Sequence, residues 1–276
     1  MGGILRMSTM EYLHPHRRPN GRIQAAVFDF DGTFSTLRCG WEKVMKSLML
    51  ECISGSTGPY DPALVQKVRN YIDSSTGIQT IYQMEWLKQE TDKAGHGSPE
   101  WDAWYYKDEY NRRLMATIRD RITAVESGEK APEEFLIKGA VEFLNTLRDA
   151  GIEVYLASGT DHRDVMHEAA ALGIAAAFTE VRGAPERLAA CSKEAVIRMI
   201  LEEKNLPGEA LLLVGDGKVE IALGAAAGAF TIGAATNEDT REGINPKKRE
   251  RLIVAGADVL VGDFSELDAL KAWLGI

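Results

Sequence analysis

The chain has 276 residues, 45% of them hydrophobic and 26% charged, the balance of a globular protein with a sizeable core, built as one large domain or a core plus a smaller inserted one. Its formal net charge of −9 speaks against a nucleic-acid backbone or an anionic membrane as partner, and it contains no run of about 18 apolar residues that could span a bilayer. Cys39, Cys52 and Cys191 are odd in number, widely spaced and free of any CxxC pair, which points to a reducing cytoplasm rather than a disulfide framework.

Residues 1–22 hold no continuous apolar stretch. They read as a mobile or surface-packed extension, not a secretory signal. Residues 23–30 (IQAAVFDF) form a short apolar run that ends in acids and Gly32, the pattern of a buried central strand. Residues 36–133 carry almost no strand signal. Trp41, Val44, Met45, Leu48, Met49 and Cys52 recur at helical spacing, as do Leu114, Ile118 and Ile122. Asp61-Pro62 and Ser98-Pro99 each resemble an N-cap followed by proline at the first helical position. Four of the five tryptophans (Trp41, Trp86, Trp101, Trp104) fall in this segment and read chiefly as its packing core.

From residue 134 onward strands and helices alternate. The helix AVEFLNTLRDA closes at Gly151 and the strand IEVYLAS follows. Next come the helix HRDVMHEAAAL, a strand around AAAFTE, and the helix KEAVIRMILEE, which stops near Asn205-Leu206-Pro207-Gly208. The strand ALLLVGD, the helix VEIALGAAA and the strand AGAFTIGA continue the series. KKRERLIVAGA and DVLVGDF add a helix and a strand, and SELDALKAWL a last helix with Ser265 as N-cap. The fold class predicted is α/β, a Rossmann-like parallel sheet covered on both faces. Residues 23–35 and 134–276 form its core, residues 36–133 an inserted helical domain, and residues 1–22 the extension.

Ligands of such sheets sit at the carboxyl ends of the strands. Three predicted strands end in reactive groups: Asp29-Phe30-Asp31-Gly32-Thr33, Ser158-Gly159-Thr160, and Gly215-Asp216-Gly217. One of the paired carboxylates, Asp29, can attack phosphorus. The other, Asp31, can protonate the leaving oxygen and then deprotonate a water. Their mutual repulsion, and that of a phosphate, calls for a hard divalent cation such as Mg2+, with Asp216 as a further ligand and Glu220 one helical turn on. Ser158, with the N–H groups of Gly159 and Thr160, offers neutral donors to phosphate oxygens. Lys193 is the best-placed cation for the non-bridging oxygens, with Lys218 a rival. Taken singly, Ser158 also fits a simple N-cap, Lys193 a solvated helix-start lysine and Glu220 a surface residue. Gly215-x-Gly217-x-x-Glu220 lacks the third glycine of a dinucleotide fingerprint, and Asp216 would repel a pyrophosphate. His14-x-His16 lies in a polar stretch without further ligands.

FDFDGT, YLASGT, Lys193 and LLLVGDGKVEI, in that order, resemble the four motifs of the haloacid dehalogenase superfamily. The resemblance implies a nucleophile at Asp29, a general acid/base at Asp31, phosphate contacts from Ser158 and Lys193, and Mg2+ held by the Asp29 side chain, the Asp31 carbonyl and Asp216. Glu220 stands where many relatives have aspartate and, being longer, implies a water-mediated role. The helical insert is similar to the α-helical cap of the phosphoglycolate phosphatase and β-phosphoglucomutase branch. There the residues after the first motif border the substrate, making Arg38 a candidate for a second anionic group and residues 76–79 a candidate cap loop. The expected function is hydrolysis of a small phosphorylated metabolite, of phosphoglycolate or sugar-phosphate type. The alternatives are a phosphomutase with the same core motifs and, less favoured, a phosphonatase.

Overall fold

The computed structural model describes residues 8–187 and 193–276; Cys191 and residues 1–7 lie outside that range. The elements in chain order are β1 (Met10–Tyr12), β2 (Ala25–Phe28), α1 (Trp41–Ser54), α2 (Pro62–Ser74), α3 (Thr80–Lys93), α4 (Ala103–Glu126), α5 (Ala140–Asp149), β3 (Glu153–Asp161), α6 (His162–Ala171), β4 (Glu180–Ala184), α7 (Lys193–Glu203), β5 (Leu211–Gly215), α8 (Lys218–Ala226), β6 (Phe230–Ala234), α9 (Pro246–Ala255), β7 (Val259–Val261) and α10 (Leu267–Leu274).

The seven strands form one sheet in the order β1-β7-β6-β5-β2-β3-β4. All neighbours are parallel except β1, which runs antiparallel to β7. The chain leaves β2 toward β3 and β4 on one side and returns to β5, β6 and β7 on the other. This reversal opens a crevice at the carboxyl ends of β2, β3 and β5. β2 is buried along its whole length because both its faces are covered. Ala26 and Phe28 join the cluster with Phe143, Leu144 and Trp273 from α5 and α10, while Ala25 and Val27 pack with Val196, Ile197 and Ile200 of α7. The near-continuous apolar run reflects that double burial.

Helices α1–α4 stand between β2 and β3. Asp61 caps α2, accepting the Ala63 N–H at 2.8 Å. Ser98-Pro99 does not start a helix: α4 begins at Ala103, where Asp102 accepts the Tyr105 N–H at 2.9 Å. A carboxylate three residues before the orphan N–H is the better acceptor. Trp86 stacks on Tyr71 at 3.8 Å, as a packing tryptophan should.

Three further expectations shift. Residues 175–177 form a single 3-10 turn and the fourth strand begins only at Glu180. Helix α10 starts at Leu267 behind Glu266, while Ser265 donates its hydroxyl to Asp263. The N-terminal segment is packed in its described part, and it includes a strand that the sequence did not show. β1 closes the sheet edge against β7, Glu11 pairs with Arg249 at 2.8 Å, and Arg17 pairs with the buried Asp258. A three-residue edge strand has too little periodicity to be read from sequence. No helix of the described residues is long and apolar enough to cross a membrane.

Candidate active site

The site is built on the turn that ends β2. The Asp29 N–H donates to the Val214 carbonyl at 2.9 Å, which fixes the tip of β2 against β5. Gly32 then turns the chain at φ +73°, and a Cβ there would lie 2.6 Å from an Asp216 oxygen. Only glycine permits both the left-handed conformation and that approach. The carboxylates of Asp29, Asp216 and Glu220 converge, one oxygen of each lying within 4.8 Å of the others, and all three residues are buried.

Lys193, at the start of α7, sits among these acids, its Nζ 2.9 Å from Asp29 Oδ1 and 3.2 Å from Glu220 Oε2. Burial disfavours its charge, but Asp29 and Glu220 together hold its pKa above the usual lysine range. Burial pushes the Asp29 carboxyl well above its ordinary range, Glu220 and Asp216 push the same way, and Lys193 only partly offsets them. Glu220 also accepts the Gly217 N–H at 2.6 Å, so its carboxylate is anchored to the loop that carries Asp216.

Asp31 faces the tip of β3. The Thr160 hydroxyl donates to its Oδ2 at 2.9 Å. Burial raises its pKa to about 7, against the lowering effect of Arg38 and with a further push from Glu168. Arg38, the candidate for a second anionic group, lines the chamber but is already engaged by acids. It is buried, and its guanidinium donates to Glu168 at 2.5 and 3.0 Å and to Asp164 at 3.2 Å, with Asp31 3.9 Å away. Ser158 and Gly159 line the same chamber, although the Thr160 N–H is already donated to the Ser158 hydroxyl at 3.1 Å.

Helices α1–α4 supply the roof. Residues 76–78, Thr80, Gln83, Tyr110, Leu114 and Trp41 face the strand tips and enclose a chamber of about 80 Å³. The contact is tight enough that a Cβ on Gly159 would meet the Ile78 carbonyl oxygen at 2.8 Å.

Sequence reasoning missed two cations. Lys248 of α9 lies 2.7 Å from Asp216 Oδ2 and Arg251 lies 3.1 Å from the same atom. Burial alone would raise the pKa of Asp216, but these two charges outweigh it and hold it below its ordinary value. Both reside in the stretch PKKRERL, read from sequence only as part of a helix; their i, i+3 spacing on one face of α9 was the available signal. Lys218 lines a separate surface hollow with Val254 and not this site. His14 pairs with Asp258 at 3.4 Å, and neither His14 nor His16 belongs to a cluster of potential metal ligands among the described residues.

A family model described as haloacid dehalogenase-like hydrolase matches residues 23–228. No curated protein matches the chain by sequence. Among solved structures, a predicted phosphoglycolate phosphatase from Haemophilus somnus 129PT is 17% identical with a TM-score of 0.60, covering 91% of this chain and 98% of that one. A β-phosphoglucomutase from Clostridium difficile is 15% identical with a TM-score of 0.60, covering 91% and 97%. A CbbY mutant from Rhodobacter sphaeroides, in complex with xylulose-1,5-bisphosphate, is 19% identical with a TM-score of 0.57, covering 89% and 96%.

Proposed function

We propose that this chain, which belongs to the haloacid dehalogenase-like hydrolase family, is a Mg2+-dependent phosphatase of a small phosphorylated metabolite, working through an aspartyl-phosphate on Asp29. One observation carries the reading: a buried Asp29 beside Lys193, with a second acid, Asp31, whose pKa is raised to about 7. An Asp29 oxygen attacks phosphorus and the ester P–O bond breaks, while the departing oxygen takes the proton of Asp31. Asp31 then accepts a proton from the water that cleaves the aspartyl-phosphate, releasing phosphate and restoring both acids. Lys193 offers charge to the non-bridging oxygens, and Ser158 and Gly159 border them.

A hard divalent cation fits the donor set. Three buried carboxylates, those of Asp29, Asp216 and Glu220, converge on one point. Asp29, Asp216 and the Asp31 backbone would hold the ion, with Glu220 behind them. When bound, it supplies the positive charge that keeps Asp29 ionised against its burial and lets a phosphate dianion enter.

Residues 36–133 act as a cap that excludes water from the chamber, and residues 23–35 with 134–276 act as the catalytic core. The free thiols of Cys39 and Cys52 favour a reducing cytoplasm. The test is phosphate release from an aryl phosphate with Mg2+, with and without EDTA. EDTA and Asp29→Asn should each abolish release. If wild type and Asp29→Asn release phosphate equally, the reading fails.

A further inference from the structure

The chamber has a floor that handles phosphate and a roof that meets whatever the phosphate is attached to. The roof's charge, its free hydrogen-bonding groups and its size bear on what that leaving group is. Resting on the phosphatase reading, we infer that the substrate is the phosphomonoester of a short, uncharged, hydroxyl-bearing alcohol, and that esters with a second acidic group are excluded.

The charge inventory comes first. Among the described residues lining the chamber the cations are Lys193 and Arg38. Lys193 belongs to the floor, bound to Asp29 and Glu220. Arg38 is paired with Glu168 and Asp164, and these two acids already outnumber its single charge. Lys107, on the next turn of α4 from Tyr110, is closed off by its pairing with Asp161. A carboxylate or second phosphate on the leaving group would therefore be desolvated near Glu168 without a free counter-charge, a strongly unfavourable placement.

What the roof does offer is neutral. Tyr110 is only 4% exposed and faces the chamber, yet its hydroxyl makes no hydrogen bond among the described residues. Burial holds it as the phenol, with Asp31 adding to that effect and Arg38 opposing it, so it is a ready donor. Thr80 brings a second hydroxyl to the chamber wall. Gln83 donates its amide N–H to the Ser75 hydroxyl at 3.0 Å, which leaves its carbonyl oxygen as an acceptor. One donor, one acceptor and one two-way hydroxyl on the chamber wall suit alcohol groups. Trp41, Ile78 and Leu114 close the remainder with apolar surface. The chamber's volume of about 80 Å³ is small against the ~300–1,000 Å³ of sites for drug-sized ligands, so the alcohol is short.

The experiment compares matched esters differing only in CH2OH against carboxylate: hydroxyethyl phosphate against phosphoglycolate, and glycerol phosphate against phosphoglycerate, with an aryl phosphate as reference. The full chain with Mg2+ should show kcat/KM at least about tenfold higher for the hydroxyl member of each pair. Tyr110→Phe should shrink that ratio, mainly through KM on the hydroxyl esters. Thr80→Lys, which adds an unpaired cation to the roof, should raise kcat/KM for the acidic members. Equal or better turnover of the acidic esters by wild type overturns the inference while leaving the phosphatase reading intact, provided the aryl phosphate is hydrolysed. No phosphate release from any ester, the aryl phosphate included, removes the phosphatase reading and the inference with it.

Discussion

Arg38 offers the sharpest separation between a substrate anchor and a structural counter-charge, because its two roles predict different observables. Replacing it by Met keeps the side-chain stem and removes the guanidinium, leaving the Glu168 carboxylate buried at 1% exposure without its partner. Breaking one side of such a buried pair costs about 3–5 kcal/mol. With about 2.1 cal/mol/K of unfolding entropy per residue, a chain of 276 residues loses a little under 2 °C per kcal/mol, so Arg38→Met should lower Tm by about 5–9 °C. It should also move a pH profile. Arg38 lowers the Asp31 pKa and Glu168 raises it, so Arg38→Met shifts the alkaline fall of kcat/KM to higher pH and Glu168→Gln shifts it to lower pH. Differential scanning calorimetry and rate–pH profiles on an aryl phosphate read both effects. A raised KM with unchanged Tm and an unmoved profile, or shifts of the same sign in both variants, would refute the counter-charge reasoning.

Asp31 must carry its proton to act as acid, and its pKa of about 7 predicts that wild-type kcat/KM falls as pH rises through that value. The same shift is a stability statement. A carboxyl raised in the folded state contributes fully below its unfolded pKa and loses that contribution as pH rises toward 7, so metal-free Asp31→Asn should melt above wild type at about pH 8 and close to it near pH 4. Gly159→Ala forces a Cβ to within 2.8 Å of the Ile78 backbone and should pry the roof open, raising KM and exposing residues 75–79 to proteolysis. Lys248→Met removes a cation from Asp216; it should tighten Mg2+ binding in isothermal titration calorimetry while lowering the Tm of the metal-free protein.

The parts of the site read most directly from sequence are those in which one short segment contains both the chemistry and the geometry that presents it. FDFDGT carries the strand, two carboxylates and the glycine that turns the chain, and GDG at the end of β5 is built alike. Because β2 pairs with β5 in parallel, the proximity of those two segments followed from topology alone. Lys193 was harder, since it starts a helix that crosses the sheet and only the packing of α7 against β2 and β3 directs it at Asp29. Helix α2 was legible through Asp61-Pro62, but Ser98-Pro99 shows that the same dipeptide pattern is no guarantee when a stronger capping acid, Asp102, follows within a turn.

Lys248 and Arg251, and the acids that engage Arg38, were not legible for a different reason, which is charge balance across the fold. A sequence shows how many acids a site has, but not which distant cations the fold brings to each. Asp29, Asp31, Asp216 and Glu220 would be unstable together in a dry crevice, so the fold supplies Lys193 to the first and last, Arg38 to the second, and Lys248 with Arg251 to the third. The cations belong to α7, the β2–α1 loop and α9, and nothing in the sequence says which acid each of them meets. Each also has a different freedom to move: Arg38 is fixed by Glu168 and Asp164, whereas Lys248 is shared between Asp216 and Glu238 at 2.7 and 2.8 Å. A side chain with two carboxylates to choose from can withdraw toward Glu238 when a divalent ion claims Asp216. Lys248 would then balance the charge of the metal-free site and yield that place on loading, a role that depends on Glu238 being within reach.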